Sequence, residues 1–259
     1  AMLVRIYEKL QTAGKGESHG FYAISSYSQI RLAEGMDSVS FGWSRMTWAD
    51  GNAKLATTSA GGNEFCVPSG YETAVKALEQ SGTQRNLMVY MDTSAGLNEL
   101  LSSEAGRTQA VSEIVNEVTV SYRALGHNPY TGVTIDFEGL RSAQKASFTA
   151  FLTALQKELK TAGKSLSVCV FPTLTTGAYY DGYDYRAIGR LADKVILMAY
   201  NYQAMDLSGY LGTEYHKTAA VAPIDQIFAS LLDITDARTG VEDVSKVLQC
   251  QTRRVCILF

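Results

Sequence analysis

Excess charge, ligand clusters and long apolar runs are all missing from this 259-residue chain, and each shortage removes a class of function. A formal charge of -3 offers no electrostatic case for binding nucleic acid or an anionic membrane surface. No stretch approaches the ~20 consecutive apolar residues that a membrane span needs. The four cysteines, Cys66, Cys169, Cys250 and Cys256, are scattered with no Cys-x-x-Cys pair, and His19, His127 and His216 lie far apart. Neither a metal site, nor another cofactor, nor a disulfide framework is expected from such spacing. No Gly-x-Gly-x-x-Gly or phosphate loop follows any candidate strand, which removes the main argument for a nucleotide-binding sheet. The start, Ala1-Met-Leu-Val-Arg5, lacks the charged head and apolar stretch of a signal peptide. Ala1 ahead of Met2 leaves room for a native targeting segment, or accessory modules, outside this sequence.

What is present is the composition of a folded protein, 46% hydrophobic and 19% charged, long enough for one large α/β domain. Residues 1–18 read as a helix end followed by a Gly/Lys/Ser linker, a leader into a domain covering 19–259. From there strands and helices alternate. Candidate strands begin at His19, Ser38, Arg85, Val133, Leu166, Lys194 and Val244, the third a continuous apolar run of the kind buried on both faces. Helices are expected around 28–35, over 69–80, over 108–125, from Ser142 to Ala162 with Phe148, Phe151, Leu152, Leu155 and Leu159 on one stripe, over 185–192 and over 224–234. Residues 49–68 read as a polar surface excursion. Such alternation predicts a parallel sheet, and this many units favour a (β/α)₈ TIM-type barrel over an open sheet. Only ten residues follow Gln249, too few for a closing helix and eighth strand, so the barrel is expected to be incomplete at its C-terminal end.

The richest stretch is Tyr130-Thr-Gly-Val-Thr-Ile-Asp-Phe-Glu-Gly139. As a strand it sends Asp136 and Glu138 to one face, about 6.5–7 Å apart along the chain, and Val133, Ile135 and Phe137 to the other. Two carboxylates so close raise each other's pKa, an arrangement suited to proton transfer; the plain alternative is that both are simply exposed in a loop. In a parallel barrel catalytic groups come from the carboxyl ends of strands. There Asp92 adds a third acid and Tyr200, Asn201 and Tyr202 a polar, aromatic rim, while Trp43 lines the pocket if it faces inward. Fifteen tyrosines, each a flat apolar face with a polar tip, suit an uncharged polyhydroxylated ligand. The histidines read as surface or loop residues, and Cys169 and Met198 as core packing.

Thr131-Gly-Val-Thr-Ile-Asp-Phe-Glu138 resembles the Asp-Gly-x-Asp-x-Asp-x-Glu signature of glycoside hydrolase family 18, the chitinase-like enzymes, and is most similar to its spore-cortex and cell-envelope branch. Leu197-Met-Ala-Tyr-Asn-Tyr202 resembles the family's Met-x-Tyr-Asp segment. The resemblance, over roughly residues 19–248, implies substrate-assisted hydrolysis of N-acetylglucosamine-containing glycans without a carboxylate nucleophile. It makes Glu138 the general acid and then base, Asp136 the holder of the substrate's 2-acetamido group and Tyr200 a hydrogen-bond donor to the same group. Asn201, Tyr202, Thr134, Trp43 and Asp92 become candidate substrate-binding residues. It implies an extracellular, cell-envelope or spore-associated protein acting on a glycan that contains N-acetylhexosamine. Thr134 departs from the signature by replacing its inner Asp, Asn201 replaces the Asp of the second motif, and the family's late tryptophan has no counterpart. These departures keep open a second class, a non-catalytic glycan-binding or scaffold barrel of the same family.

Overall fold

The computed structural model describes residues 17–22, 35–172, 181–200, 224–250 and 255–257. Seven strands run parallel: β1 (Ser18–Tyr22), β2 (Ser38–Ala49), β4 (Gln84–Met91), β5 (Gly132–Phe137), β6 (Ser165–Val170), β7 (Lys194–Met198) and β8 (Val247–Cys250). β1 pairs with β2, and each later member of the set pairs with the next. A parallel eighth strand is absent among the described residues. Its place is taken by β9 (Val255–Ile257), which runs antiparallel to both β8 and β1 and bridges the seam between them. β9 thus pairs the strand edges that an incomplete barrel would otherwise leave open at this seam. Cys250 on β8 is disulfide-bonded, which corrects the expectation drawn from cysteine spacing, and the register sets it opposite Cys256. The two cysteines are six residues apart, outside any Cys-x-x-Cys pattern, and face each other only because β9 turns back antiparallel along β8.

The covering helices are α1 (Tyr71–Gln80), α2 (Leu97–Ser102), α3 (Glu104–Glu117), α4 (Lys145–Thr161), α5 (Tyr185–Leu191) and α6 (Ile224–Ile234). α4 shows why the outer layer holds. Its five apolar residues, Phe148 to Leu159, are all fully buried, and Phe151 stacks on Phe137 of β5 with ring centres 5.3 Å apart. Each such side chain contributes about 1.5–3 kcal/mol by leaving water. α2 and the start of α3 fall where no helix was expected.

The excursion at 49–68 is half regular. β3 (Asn52–Ala56) returns antiparallel along β2 through the turn Asp50-Gly51, both residues having positive φ (51° and 76°). That is the left-handed pair a two-residue hairpin requires. β3 is an edge, and α3 covers it: the amides of Ala53 and Leu55 donate to Gln109 and Glu113 at 2.9 and 3.3 Å.

Inside the barrel the packing is polar. His19 lies between the Ser38 and Ser40 hydroxyls at 2.7 and 2.9 Å, and the Ser40 hydroxyl meets that of Thr134 at 2.6 Å. Asn86 donates to both Thr134 and Ser167 at 3.2 Å. His19, expected at the surface, is 1% exposed; burial, and then the charge of Lys194, lower its pKa from 6.5 to about 4. It is a neutral core residue because its two ring nitrogens find hydroxyl partners on β2.

Candidate active site at the carboxyl end of the barrel

All six residues of β5 are buried, and the strand's two faces divide as the alternation predicts. Val133, Ile135 and Phe137 are fully buried on the other face, where Phe137 packs on Phe148 and Phe151 of α4. Thr134 joins the interior network, and Asp136, on the same face and closer to the carboxyl end, is 8% exposed. Glu138 follows the strand and is half-buried; its amide is held by the Met91 carbonyl at 2.9 Å. The acids thus differ in environment, Asp136 sheltered and Glu138 nearer water. Gly132 is needed at the foot of β5, since a Cβ there would lie 2.6 Å from the Ser165 carbonyl oxygen.

Three side chains from three different elements sense both carboxylates. Tyr90 of β4 is in register with Asp136, and its phenol pKa is raised by burial, then by Glu138, Asp92 and Asp136. Cys169 of β6 is fully buried, and burial followed by Asp136 and Glu138 pushes its thiol well up. Tyr183, just before α5, is buried, and burial with the same two charges keeps it a phenol. The Tyr183 hydroxyl donates to the Phe137 carbonyl at 2.6 Å, fixing the peptide that carries Glu138, and the Tyr185 hydroxyl does the same for Phe171 of the next loop. Gly182 lets this segment touch the loop after β5: a Cβ on it would come within 2.5 Å of the Leu140 carbonyl carbon. Tyr183 was missed in sequence, where nothing separates it from the other tyrosines.

Of the expected site residues, Asp136, Glu138 and Thr134 are brought together on β5. Tyr200 lies two residues beyond β7, half-buried at the same end of the barrel. Asn201 and Tyr202 lie outside the described residues. Asp92 stands on the rim as expected, yet its oxygens are occupied. Oδ1 accepts from the Ser94 amide and hydroxyl and the Ala95 amide, capping a turn, while Oδ2 accepts from the Tyr90 hydroxyl at 3.0 Å. Burial alone would raise the Asp92 pKa, but the Ser94 and Tyr90 hydrogen bonds and the nearby Arg45 leave it lowered. Asp92 caps a turn through Oδ1 and holds Tyr90 and Arg45 through Oδ2.

Trp43 is a correction. It is 0% exposed, stacked on Phe41 with ring centres 4.0 Å apart and edge-on to Tyr22, Tyr71 and Tyr130. Trp43 keeps the face of β2 that Phe41 takes, opposite the interior hydroxyls of Ser38 and Ser40, and so joins the layer under α1. No face of it reaches the barrel mouth. Among the described residues no group of three or more His, Cys, Asp or Glu could hold a metal ion, and no helix is long and apolar enough to cross a membrane.

The family model described as glycosyl hydrolases family 18 matches residues 21–253. The chain belongs to this family. Among curated proteins of Bacillus subtilis (strain 168), family 18 membership is accompanied by 32% identity over 133 residues to YdhD, named as a sporulation-specific glycosylase. That match covers 51% of this chain and 28% of YdhD. A cortical fragment-lytic enzyme from the same organism is 24% identical over 163 residues, covering 60% of this chain and 35% of that protein. The crystal structure of the spore cortex-lytic enzyme SleL of Bacillus cereus superposes with a TM-score of 0.64 at 16% identity, over 90% of this chain and 50% of that one. At that identity SleL speaks to the fold alone. The chain spans about a third of the length of the two curated relatives.

Proposed function

We propose that this family 18 barrel hydrolyses β-glycosidic bonds in N-acetylglucosamine-containing glycans, peptidoglycan or spore cortex before chitin, with retention of configuration. The observation that carries the reading is the placement of Asp136 and Glu138 on one face at the carboxyl end of the barrel, close enough to share the electrostatic influence felt by Tyr90, Cys169 and Tyr183. Glu138, the more accessible acid, gives its proton to the glycosidic oxygen as the bond to the sugar breaks. The substrate's acetamido carbonyl oxygen attacks the anomeric carbon, held in line by the sheltered Asp136 and by Tyr200. Water then attacks that carbon, the bond from the carbon to the acetamido oxygen breaks, and Glu138 takes one of the water's protons, restoring the acid. Thr134, hydrogen-bonded to Ser40 and Asn86, supports Asp136 from below with a hydroxyl where the family signature has a carboxylate. Asn201 and Tyr202 are proposed to complete the sugar contacts. The names of the two curated relatives support an extracellular, cell-envelope or spore-associated setting.

Replacing Glu138 by Gln tests the reading: turnover on purified peptidoglycan or chitin oligomers should fall about 10²–10⁴-fold while binding persists. Unchanged turnover in Glu138→Gln would remove Glu138 from the mechanism. An unaltered protein that binds the glycans and cuts none of them would instead be a non-catalytic member of the family.

A further inference from the structure

Beside the two acids stands a cation that the proposed hydrolysis does not use. Arg45 of β2 is in register with Tyr90 of β4, and Tyr90 with Asp136 of β5, so the three lie in one row across adjacent strands. At ~4.8 Å per strand the Arg45 backbone stands about 10 Å from that of Asp136. The Phe65 and Tyr90 rings stack with centres 5.0 Å apart and planes 7° from parallel, and the guanidinium carbon lies 5.7 and 5.5 Å from those centres. Two aromatic contacts of this kind hold the guanidinium electrostatically without consuming its hydrogen-bond donors.

Arg45 is paired with Asp92 by charge, but among the described residues its N–H donors make no hydrogen bond. The nearest acid, Asp92 Oδ2, is 3.6 Å from Arg45 Nη2, beyond hydrogen-bond length, and already accepts from Tyr90. The Arg45 side chain is 32% exposed. A planar guanidinium fixed by stacked rings, with a fork of free N–H groups, is the group that receives a carboxylate on two parallel hydrogen bonds. Phe65, itself half-buried, offers an apolar face for a sugar ring next to it.

We infer that Arg45 and Phe65 form a subsite for a sugar that bears a carboxylate, making Arg45 a specificity-determining residue that favours acidic N-acetylhexosamine glycans over uncharged N-acetylglucosamine polymers. The identity of the glycan rests on the function proposed above, so the test reads binding rather than turnover. The whole chain is titrated calorimetrically with a tetrasaccharide containing muramic acid, with the same tetrasaccharide after its carboxylates are converted to amides, and with the N-acetylglucosamine tetramer. The free acid should bind about tenfold more tightly than either uncharged ligand, a difference of about 1.4 kcal/mol. In Arg45→Met that preference should vanish while the tetramer's affinity stays as it was, and Arg45→Lys should restore part of it. Equal affinity for the acid and its amide in the unaltered protein overturns the inference, without needing any variant to fold. An equal loss on all three ligands in Arg45→Met overturns it too, leaving Arg45 as a staple between β2, Phe65 and Tyr90. Binding with the expected preference but no cleavage would count against the hydrolase alone; no binding of any ligand would count against both.

Discussion

Changing Tyr183 to Phe removes one oxygen atom and, with it, the 2.6 Å hydrogen bond to the Phe137 carbonyl. That carbonyl belongs to the peptide leading into Glu138, and both Tyr183 and Phe137 are buried, so water cannot replace the lost donor easily. Losing one partner of a buried hydrogen bond costs about 1–3 kcal/mol. For a chain of this size each kcal/mol moves the melting temperature about 2–4 °C, so a fall of about 2–12 °C is expected. Because burial and the charges of Asp136 and Glu138 raise the Tyr183 pKa, its hydroxyl stays protonated, and a donor, throughout the range in which activity is measurable. The catalytic consequence should be a lower kcat with little change in KM, since the peptide of Glu138 is loosened while the sugar contacts remain. Tyr185→Phe is the control. It removes an equal bond to Phe171, one strand away, and should cost similar stability with a smaller effect on kcat. Thermal unfolding and steady-state turnover of both variants decide the matter. A Tyr183→Phe protein with unchanged melting temperature and unchanged kcat would refute the claim that this phenol positions the acid.

Two further outcomes follow from the same geometry. Gly182→Ala would push a methyl to within 2.5–2.7 Å of Leu140 backbone atoms, so the loops after β5 and before α5 must part; a loss of about 1–3 kcal/mol in denaturant unfolding is expected, with turnover falling alongside. His19 makes stability depend on pH. Its pKa is about 4 when folded and 6.5 otherwise, so the unfolded chain binds the extra proton between those values and stability is lost as pH falls from 6.5 towards 4. The full loss is about 3 kcal/mol, and His19→Gln should flatten that part of the curve in chemical unfolding across pH 4–7.

Much of the architecture was legible because it is written in local periodicity. The unbroken apolar run of β4, the alternation of β5 and the 3.6-residue stripe of α4 each follow from residues adjacent in sequence, and all three were found where expected. β3 escaped because its five residues are half-exposed and gain their place from β2 and α3, although Asp50-Gly51 was a readable turn. Asp92 was rightly set on the rim, but its hydrogen bonds to Ser94, Ala95 and Tyr90 show an anion already engaged.

The sequence by itself determined the barrel class, the pairing of Asp136 with Glu138 on one strand face, and their unequal partners in the family signature. Strand alternation fixes those relations over a few residues, whatever the rest of the chain does. Tertiary structure alone decided what surrounds the acids. Trp43 turned away because its face of β2, shared with Phe41, packs outward, His19 entered the core because Ser38 and Ser40 face it, and Arg45, Phe65 and Tyr90 met because the barrel sets β2 beside β4. Contacts between residues tens of positions apart depend on register and curvature, and neither is a property of any short stretch of sequence.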